Sequence, residues 1–269
     1  MLPYIMISGI SISTYAVLAI LGGLLSGFVF CLCIRKRDLD DNDAVVFLLL
    51  VTFGVFLGSH LLYGITNWQF IRYIFEARNF KEWGSSIIRV FGGAVFYGGL
   101  FGGLATGLAV IQIKRLDKQI YLDVLALVIP LFHAIARIGC FLGGCCYGIE
   151  SEFGFIAHGN RISPEVNNVS RFPVQLLESA LNIVIFLVLW ILLGRLKKES
   201  FLYGKLIWIY LAIYPVIRFT DEYLRGDSIR GFIFGLSTSQ FISVIVEGIA
   251  IGYLIVSFFK FRKSFKSQI

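Results

Sequence analysis

Seven apolar stretches, each close to the length of a membrane crossing, set what this chain can fold into. They cover residues 15–34, 44–64, 90–113, 120–142, 174–194, 204–222 and 240–259. A bilayer core takes about 20 residues of helix to cross. Lipid offers no partner to an open backbone N–H or C=O, so a spanning segment must satisfy its own. The pattern therefore predicts an all-α polytopic membrane protein with seven transmembrane helices. Composition supports this: 57% of residues are hydrophobic and 15% are charged, whereas soluble domains carry about a quarter charged residues. No internal repeat or low-complexity linker interrupts the chain, which reads as a single domain over 1–269. No basic region precedes the first span, so no signal peptide is expected.

The net charge of +7 would raise the question of nucleic acid in a soluble protein. Here the basic residues flank the spans and read as topology signals, with no nucleic-acid partner expected. Segments 35–43, 114–119, 195–205 and 260–269 hold fourteen Lys and Arg; segments 65–89, 143–172 and 223–239 hold eight. The positive-inside rule puts the first set in the cytoplasm. The N-terminus is then outside and the C-terminus inside. Segment 65–89, ITNWQFIRYIFEARNFKEWGSSIIR, is aromatic and amphipathic. It reads as an interfacial arm or as an ordinary ordered loop.

Two basic residues, Arg137 and Arg218, lie inside spans. A charge there costs about 2.5–3.5 kcal/mol on insertion scales, so its reading is functional or it belongs to an internal ion pair. In the sixth span, YPVIRFTDEYLR, a rotation of about 100° per residue brings Tyr214, Arg218, Glu222 and Arg225 into one narrow stripe, with Asp221 beside it. In the fifth, FPVQLLESALN, Gln175, Glu178 and Asn182 share a face. Glu178 is expected to pair with a buried arginine or to cap a hydrogen-bond network, in a supporting role. With the orientation above, Tyr15, Tyr97, Arg137, Gln175, Glu178, Arg218, Glu222 and Arg225 come from five spans to the outer half of the membrane. Arginines at headgroup depth suit a phosphate, because the guanidinium fork matches phosphate oxygens. Gly98, Gly99, Gly139 and Gly148 permit close backbone approach, although helix packing alone explains most glycines in such a chain.

These segments resemble a known family. STYAVL around Tyr15, FYGGL at 96–100, ARIGCFLGGCCYG at 136–148, FPVQLLE at 172–178 and YPVIRFTDEYLRGD at 214–227 occur in the order found in the prolipoprotein diacylglyceryl transferases of the bacterial inner membrane, over nearly the whole chain. The resemblance implies a multi-pass enzyme with its site near the outer leaflet. It would transfer the diacylglyceryl group of phosphatidylglycerol to the lipobox cysteine thiol of a prolipoprotein. Glycerol phosphate would leave, with no metal, nucleotide or other cofactor. It implies Arg137 as the phosphatidylglycerol-binding arginine, Arg218 as an essential arginine, and Tyr97 in place of a residue that is often histidine. The candidate catalytic residues are thus Tyr97, Arg137 and Arg218. The substrate-binding set is Tyr15, Gly98, Gly99, Arg137, Gly139, Gly148, Tyr214, Glu222 and Arg225, supported by Gln175 and Glu178. On this reading the arginines supply a positive field for the leaving phosphate and the attacking thiolate. Tyr97 is a poor base at an unperturbed pKa of about 10, and serves only if arginines depress it.

Many family members have Asn and Glu where this chain has Cys140 and Cys145; it matches a GCF…CCYG version instead. Four readings of these cysteines stay open: small core residues, a disulfide from Cys140 to Cys145 or Cys146, a metal site with His133 or His158, and a covalent role. Two other functions also stay open. One is a paralogue serving a different acceptor. The other is a lipid-binding or transport protein, against which stands the lack of a matching polar cluster at the inner side.

Overall fold

The computed structural model describes residues 2–7, 10–160, 163–227 and 231–266. Arg161 and Arg230, two of the eight basic residues assigned to the outer segments, lie outside the described residues. In chain order the elements are β1 (Tyr4–Ile7), β2 (Ile10–Ser13), α1 (Thr14–Arg35), α2 (Asp41–Thr66), α3 (Arg72–Glu76), α4 (Phe80–Phe91), α5 (Phe96–Lys114), α6 (Lys118–Gly143), β3 (Glu150–Ile156), β4 (Ser170–Arg171), α7 (Val174–Arg195), α8 (Leu206–Asp221), β5 (Phe232–Ile233), β6 (Leu236–Ser237) and α9 (Thr238–Lys266). Among the described residues, six helices are long and apolar enough to cross a membrane: α1, α2, α5, α6, α7 and α9. The expected sixth span, α8, has 16 residues, about 24 Å of helix at 1.5 Å per residue.

The chain forms two compact units, Met1–Lys36 with Leu122–Ile269, and Arg37–Tyr121. In the second unit α2 opens on a firm cap: the Asp40 carboxylate accepts from the backbone N–H of Asn42 at 2.6 Å and Asp43 at 3.0 Å. That satisfies two of the donors a helix start leaves open. α2 and α5 then pack closely through glycines. A Cβ added at Gly58 or Gly98 would collide with the carbonyl of the other residue, and Gly54 and Gly102 meet in the same way one turn along. Small residues spaced by four let helix backbones approach in a bilayer. Gly99 faces α2 as well, its Cβ position 3.1 Å from Val55 Cγ1. The third span starts at Phe96 rather than residue 90, because α4 runs on to Phe91 and the pair Gly92–Gly93 breaks the helical path before α5.

The segment 65–89 is neither one helix nor open loop. It folds as a 3-10 turn (Trp68–Phe70), α3 and most of α4. Trp68, Phe75, Phe80 and Ile88 are exposed along it, and the Arg89 guanidinium stacks 4.8 Å over the Tyr73 ring.

In the first unit β2 runs directly into α1, and Gly22 of α1 sits against Ile135 of α6. The start of α8 is capped by Asp123, whose carboxylate accepts from Gly204 N and Leu206 N, both at 2.8 Å. Tyr147, Ala157 and Val166 form a small core for the segment between α6 and α7. There Asn160 is buried, donating to the Gly143 carbonyl at 3.2 Å and accepting from Ser163 N at 3.0 Å.

Two expectations need correction. The fold is mostly helical but not all-α: among the described residues there are three two-stranded antiparallel sheets, β1–β2 ahead of α1, β3–β4 between α6 and α7, and β5–β6 between α8 and α9. The Tyr214–Arg225 stripe does not continue as α-helix either. α8 stops at Asp221, Glu222–Leu224 is a 3-10 turn, and Arg225 is extended. The reason lies in backbone pairing. Leu224 O accepts from Ile149 N, and Gly226 N donates to Tyr147 O, both at 2.9 Å. Arg225 thereby bridges to Gly148 in strand geometry. Gly148 is required at this crossing, since a Cβ there would run into the Phe172 carbonyl.

Candidate functional site

Within the first unit, the ends of four helices bring buried polar side chains together. Arg137 comes from the last turns of α6, and Glu178 from the second turn of α7. Tyr214 and Arg218 come from the second half of α8, and Ser239 from the start of α9. All but Ser239 are at most 7% exposed.

Glu178 is the hub. Arg137 grips it with two nitrogens, Nε 2.8 Å from Oε2 and Nη2 donating to Oε1 at 3.0 Å. The Tyr214 hydroxyl donates to the same Oε1 at 3.2 Å, and His133 Nε2 lies 3.4 Å from it. The Asn182 amide donates to the Glu178 carbonyl at 2.8 Å. Gln175, one turn before Glu178, donates to the Cys145 carbonyl at 2.9 Å and ties α7 to the turn after α6.

Arg218 has a second carboxylate. Its Nη2 is 2.7 Å from Glu222 Oε2 and donates to Ser239 Oγ at 3.0 Å. Its Nη1 is buried with no hydrogen-bond partner among the described residues. Asp221 Oδ2 is in the same condition. Beyond α8, Arg225 is held by Asp227 through Nε and Nη2. A cavity of about 290 Å³ opens here, lined by Glu222, Tyr223, Asp227, Phe232, Gly235, Ser237 and Gln240. The Tyr147 hydroxyl donates to Glu165 at 3.2 Å, and its pKa is raised, first by burial and then by that carboxylate.

The expected pairing of Glu178 with a buried arginine is met by Arg137. Arg137, Arg218 and Arg225 each face a carboxylate, as a buried guanidinium in an apolar bundle requires. Arg218 Nη1 has no hydrogen-bond partner among the described residues.

The other predicted residues are placed as follows. Tyr15, in the first turn of α1, is half-exposed and packs on Gly139, whose Cβ position lies 3.3 Å from Tyr15 Cα. Gly148 and Arg225 join in the backbone crossing described above. Tyr97, Gly98 and Gly99 belong to the second unit. There Tyr97 is buried and stacks on Phe101, and the two glycines are occupied by packing against α2. Sequence reasoning named His133 only as a metal ligand, although it precedes Arg137 by one helical turn and so shares its face. Nothing in STSQ at 237–240 pointed to Ser239.

The profile of the prolipoprotein diacylglyceryl transferases matches residues 3–256. The chain belongs to the prolipoprotein diacylglyceryl transferase family. Among similar proteins is phosphatidylglycerol--prolipoprotein diacylglyceryl transferase 2 of Clostridium perfringens (strain 13 / Type A), 34% identical over 89% of this chain and 89% of its own. The phosphatidylglycerol--prolipoprotein diacylglyceryl transferase of Clostridium tetani (strain Massachusetts / E88) is 31% identical over 95% of this chain and 96% of its own. That of Streptococcus equi subsp. zooepidemicus (strain H70) is 27% identical over 91% and 90%. Three of the five segments that carried the resemblance, 136–148, 172–178 and 214–227, hold the residues of the Arg137–Glu178–Tyr214 and Arg218–Glu222 groups.

Proposed function

We propose that this chain transfers the diacylglyceryl group of phosphatidylglycerol to the lipobox cysteine of a prolipoprotein, the first step of lipoprotein modification. Family membership and the names of its relatives support the reaction. One observation carries the site: a buried arginine, Arg218, keeps one nitrogen without a hydrogen-bond partner among the described residues, and its acid partner Glu222 lines a cavity. A lipid phosphate oxygen suits that nitrogen in charge and geometry.

On this reading the cysteine sulfur attacks the glyceryl carbon bonded to the phosphate. A C–S bond forms and the C–O bond breaks. Glycerol phosphate leaves with the electron pair of the broken C–O bond, and the thiol's proton passes to the released phosphate or to water. Arg218 stabilises the charge growing on the phosphate. Arg137, gripped by Glu178, fixes the walls of the site and lends its charge from one side. Tyr97 enters as a catalytic residue on its place in the family motif alone.

We further infer seven spans, the seventh being α8 lengthened by its 3-10 turn. The N-terminus faces outward and the C-terminus the cytoplasm of a bacterial inner membrane, with the site near the outer leaflet. The excess of basic residues in one set of segments supports this arrangement.

The test supplies purified protein with phosphatidylglycerol and a lipobox peptide. A thioether-linked diacylglyceryl peptide and free glycerol phosphate are expected, and the Cys→Ser peptide must stay unmodified. Glycerol phosphate release with an unmodified cysteine peptide would move the acceptor elsewhere, as in a paralogue. Bound lipid without turnover would make this a binding or transport protein.

A further inference from the structure

The reaction proposed above leaves one side-chain cluster without a task. The thiols of Cys140, Cys145 and Cys146 all lie within 4.8 Å of one another. Cys140 sits in the last turn of α6. The helix is closed there by Gly144 at φ 77, with Gly144 N and Cys145 N both donating to the Cys140 carbonyl, at 2.9 and 3.1 Å. The chain then takes a second left-handed step at Cys146, φ 54. That conformation is unfavourable for a cysteine side chain. Glycine or asparagine would turn the chain without that cost, yet neither would return a thiol to the other two.

Simple packing accounts poorly for this arrangement. Cys140 is buried, but Cys145 and Cys146 are part-exposed, so the cluster is reachable from the surface. A disulfide uses two sulfurs and leaves the third aside; all three are free thiols here. Two cations attend the group. Arg137 Nη1 is 4.0 Å from Cys140 Sγ, and the charges of Arg225 and Arg137 both act on Cys146. Guanidinium groups beside thiols favour a site that carries net negative charge when filled.

We propose that Cys140, Cys145 and Cys146 form a three-thiolate site for a soft divalent cation such as zinc. Thiolate sulfurs at about 2.3 Å from zinc stand roughly 4 Å apart, a spacing the three thiols reach by small rotamer changes. Soft sulfur ligands select such ions over calcium or magnesium. Three thiolates and a divalent ion carry one net negative charge, and the guanidinium groups of Arg137 and Arg225, each also held by a carboxylate, lie on the side of the thiols. A fourth position stays open to water or an added ligand. The site adjoins Arg137, but the metal proposal does not depend on the transfer reaction.

Cadmium is the probe. Full-length protein, purified in detergent and kept reduced with a phosphine, is titrated with cadmium while the ultraviolet sulfur-to-metal charge-transfer band is followed. The band should saturate at one ion per chain. It should be lost in Cys140→Ser, Cys145→Ser and Cys146→Ser, and persist in the double variant Cys31→Ser/Cys33→Ser. A second measurement needs no variant. Bound cadmium should shield Cys140, Cys145 and Cys146 of the native chain from alkylation, mapped by mass spectrometry, and leave Cys31 and Cys33 labelling as before. No band at excess cadmium, a band lost in the Cys31/Cys33 variant, or equal alkylation with and without the metal would overturn the proposal.

Discussion

Breaking the Arg137–Glu178 pair from either side is expected to destabilise the protein more than removing both partners. Each side chain is almost wholly buried, and the contact has two points, at 2.8 and 3.0 Å. A buried charge stripped of its partner costs about 3–5 kcal/mol, whereas replacing a whole buried pair with apolar groups is often near neutral. Glu178→Leu leaves the Arg137 guanidinium buried, and a guanidinium cannot shed its charge. Arg137→Met leaves Glu178, which can take up a proton, so its cost is smaller. In the double variant Arg137→Met/Glu178→Leu neither charge remains. The Tyr214 hydroxyl and the His133 ring lose an acceptor in both Glu178 variants, so that loss cancels between them. The double variant should therefore recover about 3–5 kcal/mol relative to Glu178→Leu. At about 2–4 °C per kcal/mol for chains near this size, that is roughly 6–20 °C in melting temperature. The assay is thermal unfolding of detergent-solubilised protein at one fixed scan rate, because irreversible unfolding makes the midpoint rate-dependent. A double variant melting at or below Glu178→Leu would mean that the two charges do not depend on each other, and the ion-pair argument would fall.

Other outcomes follow from the same structure. Arg218→Ala and Arg137→Ala should each abolish transfer to a lipobox peptide with the protein still inserted, and Arg218→Lys should restore little, since a point charge does not reproduce a planar fork. Substantial turnover in Arg218→Lys would refute the fork. Gly98→Leu should destabilise the second unit by several kcal/mol, because even a Cβ there meets the Gly58 carbonyl and a packed helix pair resists overfilling; an unchanged melting temperature would count against that packing. An engineered Lys263→Cys in α9 should resist an impermeant thiol reagent applied from outside intact cells, and ready labelling would reverse the proposed orientation.

The helices were legible because lipid forces long apolar runs, and one start moved by several residues where glycine interrupts the path, before Phe96. The hairpins were not legible. Five of the six described strands have two to four residues and give no usable alternation, and the seven-residue β3 shifts register between Glu150 and Phe155. Arg225 shows a different failure. Helical periodicity carried it onto the Arg218 face, and nothing local in EYLRGD signals that Tyr147 and Ile149 wait to pair with its neighbours. Glu178 was legible as a buried acid on a shared helical face. Its choice of Arg137 over Arg218 is a tertiary fact, set by where α6 and α7 meet. Sequence reasoning expected one buried arginine to pair with Glu178 and named no acid for the others. The structure instead gives each a carboxylate, for the reason that makes charges rare in spans.

That pairing separates two arginines that look alike in sequence. An apolar bundle tolerates a guanidinium when an acid answers it, yet an arginine whose nitrogens are all engaged has nothing left for an incoming anion. Arg137 turns both Nε and Nη2 to Glu178, and its Nη1 faces the Cys140 sulfur. Arg218 meets Glu222 and Ser239 through Nη2 alone, which leaves Nη1. On the proposed reaction, Arg137 is then a positioning residue whose charge acts at a distance, and Arg218 is the group that meets the phosphate. The two should differ in kind. Conservative change at Arg218 should raise the phosphatidylglycerol concentration needed for half-maximal rate and lower the rate itself, because the same contact serves lipid and leaving group. Relief of the Arg137–Glu178 lock by Glu178→Gln should act mainly through stability and geometry, lowering the rate with little change in lipid binding. A lipid-binding defect in Glu178→Gln as large as that in Arg218→Lys would erase the distinction.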